Sequence, residues 1–273
     1  MTFSPIANLA IRAARRAGTL AIRFFDRRHQ LEVVRKEGSQ ADFVSNADTE
    51  VERELIYHLA KVSPDYGFLA EESGEKKGRE GWNWILDPID GTTNFLQGVP
   101  HFAISIALVR ETEVQLGLIF DPLHNEMFLA EKGRGAFLND HRMRVSNRQN
   151  LSQALLATAF PFKNKDKFDH YLEPFTTLFH ACGDIRRSGS ASLDLAYTAA
   201  GRFDGYWEMG LSAWDIAAGS LILQEAGGFI SDFSGDRHYM EKGEVLAANP
   251  LLHSRMLDKI RATRLTNAKI DKK

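Results

Sequence analysis

The densest chemical signal in the chain is Asp87-Pro88-Ile89-Asp90-Gly91-Thr92-Thr93-Asn94-Phe95, which leaves an apolar run at Trp82 to Leu86 and carries two carboxylates with no Lys or Arg beside them. Pro88 holds Asp87 extended and removes one backbone donor, and Gly91 permits a sharp turn that is expected to bring Asp90 back alongside Asp87. Two anions so placed suit a shared cation. The donors nearby are oxygens without His or Cys, a set that favours Mg²⁺ or Ca²⁺ over zinc or copper, and Mg²⁺ is the ion expected. Thr92 and Thr93 follow where a helix or turn start would offer free N–H groups and hydroxyls to an anion, which points to phosphate. A plainer reading stands beside this one, with Asp87-Pro88 as a capped turn and Asp90-Gly91 as a tight turn.

Phosphatases that use an Asp as covalent nucleophile carry D-x-D-G-T, whereas here Pro88 and Ile89 both separate the acids. The chain also has no G-x-S-x-G elbow and no Walker-type G-K-[ST], so water activated by a bound cation is the most economical nucleophile. Three further acidic positions gain meaning from this. Glu71 and Glu72 end a predicted strand, Asp48 sits near a helix start, and Asp215 opens a helix after Trp214. Asp48 and Asp215 would also be favourable at helix N-termini through the macrodipole alone, and Glu71-Glu72 could be solvated loop charge. Spacing does not decide whether the set converges.

The elements that must carry these residues are readable in outline. Ser4 and Pro5 stand where an N-cap and first-turn proline belong, and Ile6, Leu9, Ala10, Ala13, Ala17, Leu20, Ala21 and Phe24 recur at helical spacing. Arg12, Arg15, Arg16 and Arg23, with no acid before Asp26, would also fit an organellar transit peptide; a packed first helix is the reading preferred. Ser45-Asn46-Ala47-Asp48 has capping-box form ahead of Val51, Leu55 and Leu59. Tyr66 to Ala70 and Trp82 to Leu86 read as strands around a charged loop, Ser73 to Gly81, that could serve as a lid. His101 to Val109, Glu113 to Phe120 and Glu126 to Ala130 are apolar runs with short polar separators, as in an antiparallel sheet.

After a polar segment, Lys163 to Asp169, helical and strand patterns alternate. Ala191 to Ala200 and Ala213 to Ala226 read as helices closed by Gly201 and by Gly227-Gly228; Asp204 to Trp207, Phe229 to Phe233 and Glu244 to Ala247 read as strands, and a last helix starts near Pro250. No linker separates the halves, so residues 1–273 are expected to form one layered α/β unit with two sheets.

Composition sets limits. With 273 residues, 44% hydrophobic and 26% charged, the chain can bury a full core. A formal charge of -2 gives no global field for nucleic acid or anionic membrane. Cys182 is the single cysteine and cannot form an internal disulfide, so a reducing, cytoplasmic setting is expected and structural zinc is not. The longest strongly apolar stretch, Val99 to Val109, is well short of the roughly 20 residues that span a bilayer, and a soluble protein without membrane contact is expected.

Taken together the motifs resemble those of the inositol monophosphatase family, especially its bacterial branch, over roughly residues 5 to 262. They are A-E-E-S at 70–73, W-I-L-D-P-I-D-G-T-T-N-F at 84–95 and W-D-I-A-A-G-S-L-I-L-Q-E-A-G-G at 214–228, with D-F-V-S-N-A-D at 42–48 and Y-W-E-M-G at 206–210. The resemblance implies an αβαβα sandwich of the metal-dependent, lithium-sensitive phosphatase type, usually a homodimer, with two or three Mg²⁺ ions as cofactor. By motif position Glu71, Asp87, Asp90, Asp215 and the Ile89 carbonyl look like metal ligands. Thr92 and Asp48 look like the pair that orients and deprotonates the attacking water, with Glu71 beside them in the catalytic set. Gly91 and Thr92 amides would hold the phosphate, while Asp90, Gly189, Ser190, Ala191 and Glu208, with Asp215, fall on substrate-binding positions. Ala70 departs from the glycine often found before the metal-binding Glu. The Lys36 to Asp42 loop is longer than in animal members, so Lys36 receives no role. Arg186-Arg187 lies at a dimer interface or the site rim, or is a solvated pair.

The expected activity is hydrolysis of inositol 1-phosphate, or a similar polyol or sugar phosphate, to alcohol and inorganic phosphate. Histidinol phosphate, a sugar bisphosphate or NADP are alternative substrates for the same architecture. A different class is a bacterial protein whose main role is binding the transcription and ribosomal RNA synthesis machinery, to which Arg142, Arg144, Arg148 and the tail from Arg261 to Lys273 would lend a surface, unless they are ordinary solvated charge. No basic stripe interleaves with aromatics, so direct nucleic-acid binding is not expected.

Overall fold

The computed structural model describes residues 3–35, 43–79, 81–162 and 165–270. Lys36 to Asp42, Lys163 and the last three residues of the tail lie outside the described residues.

Ser4 caps α1 (Pro5–Asp26), its hydroxyl accepting from the Ala7 amide at 3.2 Å. The buried stripe of α1 is made of small residues, Ala10, Ala13, Ala14, Ala17 and Ala21 among them, so the helix lies close on the sheet beneath. At Gly18 an added methyl would stand 2.6 Å from the Phe120 ring. A two-stranded antiparallel pair, β1 (Val33–Arg35) and β2 (Phe43–Ser45), leads into α2 (Asn46–Ala60), which packs beside α1.

The first sheet follows. Its strands are β3 (Gly67–Ala70), β4 (Gly74–Lys76) and β5 (Trp82–Asp90), then, after α3 (Thr92–Gln97), β6 (Ala103–Arg110), β7 (Glu113–Asp121), β8 (Glu126–Glu131), β9 (Gly135–Leu138) and β10 (His141–Arg142). They run in the order β10-β9-β8-β7-β6-β5-β3-β4, antiparallel throughout except for the parallel pair β3 and β5. Two findings correct the sequence reading here. Part of the charged loop after Ser73 forms the edge strand β4, and β5 continues past Leu86 to Asp90.

The second sheet has the order β12-β11-β13-β15-β14. Its members are β11 (Leu155–Thr158), β12 (Asp184–Arg186) after α4 (Phe168–Phe179), β13 (Gly205–Met209) after α5 (Ala191–Ala199), β14 (Phe229–Ser231) after α6 (Ala213–Glu225), and β15 (Glu244–Ala248) after the single turn α7 (Tyr239–Lys242). Pro250 opens the last helix, α8 (Pro250–Ile270). β9 to β12 are short and α4 carries Pro174 in its interior, and all escape the sequence reading.

Five layers result, as expected: α1 and α2, the first sheet, α5 and α6, the second sheet, α4 and α8. Both faces of the central strands are covered, so Trp84, Leu86 and Ile106 join the core under α1 and α2, while their neighbours Ile85, Ala107 and Ile119 join the core under α5 and α6. That double burial makes these strands near-continuous apolar runs rather than alternating ones. Helix α6 is apolar around its circumference, with Ile216, Ala217, Leu221 and Ile222 all buried, because it is the middle of the sandwich. Among the described residues no helix is long and apolar enough to cross a membrane.

Candidate active site

In a regular strand Asp87 and Asp90, three residues apart, would point to opposite faces. The register of β5 against β6 shifts between them: Asp87 pairs with Ser105 and Asp90 with Ala103, so three steps on one strand match two on the other. This bulge at Pro88-Ile89, rather than the Gly91 turn alone, brings the two carboxylates to one side. The plainer turn reading also holds, since Asp87 Oδ1 accepts from the Ile89 amide at 3.0 Å. Asp215 joins from the first turn of α6. Asp87, Asp90 and Asp215 each offer an oxygen within 4.8 Å of the other two, and they are 1%, 8% and 8% exposed.

Three acids, Asp48, Asp215 and Asp90, are held at the starts of helices. Asp48 Oδ2 accepts from the Ser45 amide at 2.8 Å and the Ser45 hydroxyl at 2.7 Å, closing the capping box of α2. Asp215 Oδ2 accepts from the Ser212 amide at 2.7 Å at the start of α6. Asp90 Oδ2 accepts from the Ser190 hydroxyl at 2.6 Å, the Ser192 amide at 2.7 Å and the Ser192 hydroxyl, all at the N-terminus of α5. Three helix N-termini therefore converge, and their positive ends offset part of the repulsion among the carboxylates. Macrodipole and site are one arrangement.

Gly91 adopts φ +97° and caps α3, and a Cβ there would lie 3.1 Å from the His101 carbonyl and 3.2 Å from the Gly189 carbonyl. The turn and the loop before α5 are thus in contact. Asn94 locks them, its Nδ2 donating to the His101 carbonyl at 2.9 Å and the Ser188 carbonyl at 3.0 Å. Thr92 Oγ1 lies 3.1 Å from the Ile89 carbonyl and 3.3 Å from Asp48 Oδ1, with one proton to give to either. Burial pushes the Asp48 carboxyl above its ordinary range, the Ser45 hydrogen bonds offset part of this, and Glu71 adds to it.

These groups line a cavity of about 410 Å³. Of the residues singled out in the sequence, Glu71, Asp87, Ile89, Asp90, Gly91, Thr92, Gly189, Ser190, Ala191, Glu208 and Asp215 line it, and Asp48 stands behind Thr92. Glu71 borders the cavity outside the Asp87, Asp90, Asp215 triplet. Its loop is fixed by Glu52, which accepts from the Glu72 and Ser73 amides at 2.8 and 2.9 Å. Glu208, on β13, is pushed up to about 8 by burial; the Tyr206 hydroxyl, which donates to it at 2.6 Å, opposes the shift, and Asp215 and Asp90 reinforce it.

Sequence reasoning missed Asn94, Ser192, Glu52 and the apolar wall of Phe160, Phe162 and Leu211. Asn94 lies inside the strongest motif, Ser192 two places from Ser190, and Glu52 one turn after Asp48 on the same helix face, so a local signal existed for the first three. The wall had none. Of the arginine pair, Arg186 donates to Asp184 at 2.7 Å, while Arg187 lines the cavity rim. Arg144 donates to the Met143 and Glu225 carbonyls, and Arg148 lies 3.6 Å from Asp204, so two of the three arginines in that segment are engaged within the fold.

The donor set fits a hard cation: three buried carboxylates from two elements, β5 and α6, gathered without a Lys or Arg among them. A lone cluster of this kind would be destabilised by its own charge, which a divalent ion would neutralise.

Comparison with known proteins agrees with the architecture. The model of the inositol monophosphatase family matches residues 3–265. The protein named Nus factor SuhB of Escherichia coli (strain K12) is 45% identical over 258 residues, covering 94% of this chain and 96% of that one. Among solved structures, the extragenic suppressor protein suhB from Bartonella henselae has a TM-score of 0.91 at 41% identity, covering 94% of this chain and 98% of that one. The inositol monophosphatase from Anabaena (Nostoc) sp. PCC 7120 has a TM-score of 0.83 at 34% identity, covering 94% of this chain and 95% of that one.

Proposed function

The chain belongs to the inositol monophosphatase family, and from that membership we propose that it is a Mg²⁺-dependent phosphomonoesterase that hydrolyses inositol 1-phosphate, or a similar polyol or sugar phosphate, to the alcohol and inorganic phosphate. The observation that carries the reading is the buried triplet of Asp87, Asp90 and Asp215 beside the Gly91 turn. Those three, with Glu71 and the Ile89 carbonyl, would hold two or three ions. Bound there, Mg²⁺ supplies positive charge to the phosphate oxygens and acidifies water.

The chain's own groups then have distinct work. Amides of Gly91 and Thr92 receive phosphate oxygens at a turn whose positive φ only glycine adopts without strain. Asp48 Oδ1, by accepting from Thr92 Oγ1, turns a lone pair of that hydroxyl toward the cavity to accept from water. Since burial raises the Asp48 carboxyl, it takes up a proton relayed through Thr92 more readily than an exposed aspartate would. Glu208 meets the hydroxyls of the alcohol, and Gly189, Ser190 and Ala191 line the same cavity. Water enters on one side of phosphorus and the alcohol departs on the other, with inversion.

The test is phosphate release from inositol 1-phosphate with Mg²⁺, with EDTA and with added Li⁺. Release that needs Mg²⁺ and is inhibited by Li⁺ supports the reading; release that survives EDTA defeats it. A panel with histidinol phosphate, fructose 1,6-bisphosphate and NADP, ranked by kcat/KM, separates the alternative substrates, and sedimentation tests the homodimer.

A second reading rests on the relatives named Nus factor SuhB: a partner role in the transcription machinery. Co-purification of RNA polymerase with both the natural chain and Asp87→Asn would support it, since a binding role does not need the ion triplet. A cytoplasmic location belongs to both readings.

A further inference from the structure

We propose that Arg187 makes this site selective for phosphate monoesters whose alcohol carries a second anionic group, a carboxylate or another phosphate. The inference rests on the phosphomonoesterase reading and specifies its substrates. Arg187 is the single basic side chain among the described residues that line the cavity, facing five acids. Its guanidinium lies over the Phe162 ring, 5.3 Å from the centroid, at the exposed mouth. Arg186, the residue before it, is paired with Asp184. Arg187 has no hydrogen-bond or ion-pair partner among the described residues, so its N–H donors remain available to a ligand.

Position then limits what the ligand is. Arg187 Nη1 lies 3.0 Å from where a Cβ on Gly189 would stand, and the Gly189 carbonyl lies 3.2 Å from where a Cβ on Gly91 would stand. The guanidinium is therefore separated from the turn proposed to hold the reacting phosphate by a single residue, Gly189. An alcohol with a second anion would be repelled by the aspartates of the cavity unless a cation met it at the rim. A planar guanidinium held on an aromatic face presents paired donors that match a carboxylate or a phosphate two oxygens at a time. Phe162, 49% exposed, is the shelf that aims it.

Two substrate pairs separate the sources of the anion. Glycerol 2-phosphate and glycerate 2-phosphate differ by one carboxylate, and inositol 1-phosphate and inositol 1,4-bisphosphate by one phosphate. The readout is the ratio of kcat/KM for the more anionic member to that for its partner, in the natural chain, Arg187→Ala and Arg187→Lys, each checked for an unchanged melting midpoint. Arg187→Ala is expected to lower the ratio about tenfold in at least one pair, as loss of one charge-assisted contact would, with Arg187→Lys intermediate. A change below threefold in both pairs overturns the inference, including the case in which both members fall together because Arg187 grips the reacting phosphate. If the natural chain releases phosphate from none of the four compounds, the phosphomonoesterase reading falls and takes this inference with it.

Discussion

Asp48 divides its two carboxylate oxygens between different elements: Oδ2 closes the N-terminus of α2 through Ser45, and Oδ1 accepts from Thr92 Oγ1, 44 residues further along the chain. A capping residue has become the support of a site hydroxyl. Substitutions should separate the two duties. Asp48→Asn keeps a cap acceptor but loses the charge, and is expected to lower phosphate release at least 100-fold while costing about 1 kcal/mol of stability. Thr92→Val should abolish turnover, whereas Thr92→Ser retains it. Equal activity in Thr92→Val and the natural chain would remove Thr92 from the reaction.

Asp87→Asn is expected to lower turnover by several orders of magnitude and leave the fold intact, because it removes one anion from an oxygen nest rather than a contact from the core. Circular dichroism and phosphate release measure the two halves of the statement. Near-normal release would defeat the ligand assignment.

Mg²⁺ should raise the melting midpoint of the natural chain, since an ion that binds the folded state alone stabilises it by about 2.7 kcal/mol at 100 times its dissociation constant. In Asp87→Asn the shift should shrink or vanish. Thermal melts with and without EDTA read this directly, independent of any substrate.

Gly91→Ala combines two penalties, a side chain forced to φ +97° and a Cβ 3.1 Å from the His101 carbonyl. Loss of about 1 to 3 kcal/mol is expected, together with a large fall in phosphate release. An alanine variant with natural stability would mean that the turn relaxes easily.

Asp194 in α5 is wholly buried, and neither of its carboxylate oxygens has a hydrogen-bond partner. Burial drives its carboxyl well above the ordinary 3.8, Glu208 adds to the shift, and the nearby Ser188 side chain opposes it. The folded state thus keeps a proton that the unfolded chain releases. Its contribution to stability is complete below the unfolded value of 3.8 and is lost as pH rises through the folded value. Asp194→Asn removes this dependence, so its melting midpoint should gain on the natural chain between pH 5 and pH 8. A constant difference across that range would show that Asp194 does not carry the proton.

Much of this was legible in the sequence because the signals are local. Ser4-Pro5 and Ser45-x-x-Asp48 announce helix starts through hydrogen bonds that span three residues, and the motif at 84–95 carries two of the site's acids, its turn and its hydroxyls in one stretch. Helix α4 was missed although Phe168, Tyr171, Phe175 and Phe179 recur at helical spacing, because Pro174 inside it reads as a break in the pattern. Edge strands β4 and β12 were missed because so little of either is buried that their sequences read as loop.

Residue chemistry and short-range periodicity suffice to tell which residue types could bind a hard cation and a phosphate, which helices they would begin, and that two sheets would be layered among helices. Tertiary structure alone decided that Asp87 and Asp90 share a side, through a bulge that only the register with β6 defines. It also decided that Asp215 reaches them across the sandwich and that Arg187 rests on Phe162 at the mouth while Arg186 pairs elsewhere. Those relations depend on distances between segments far apart in the chain, and spacing along a sequence carries no information about such distances until the layers have packed.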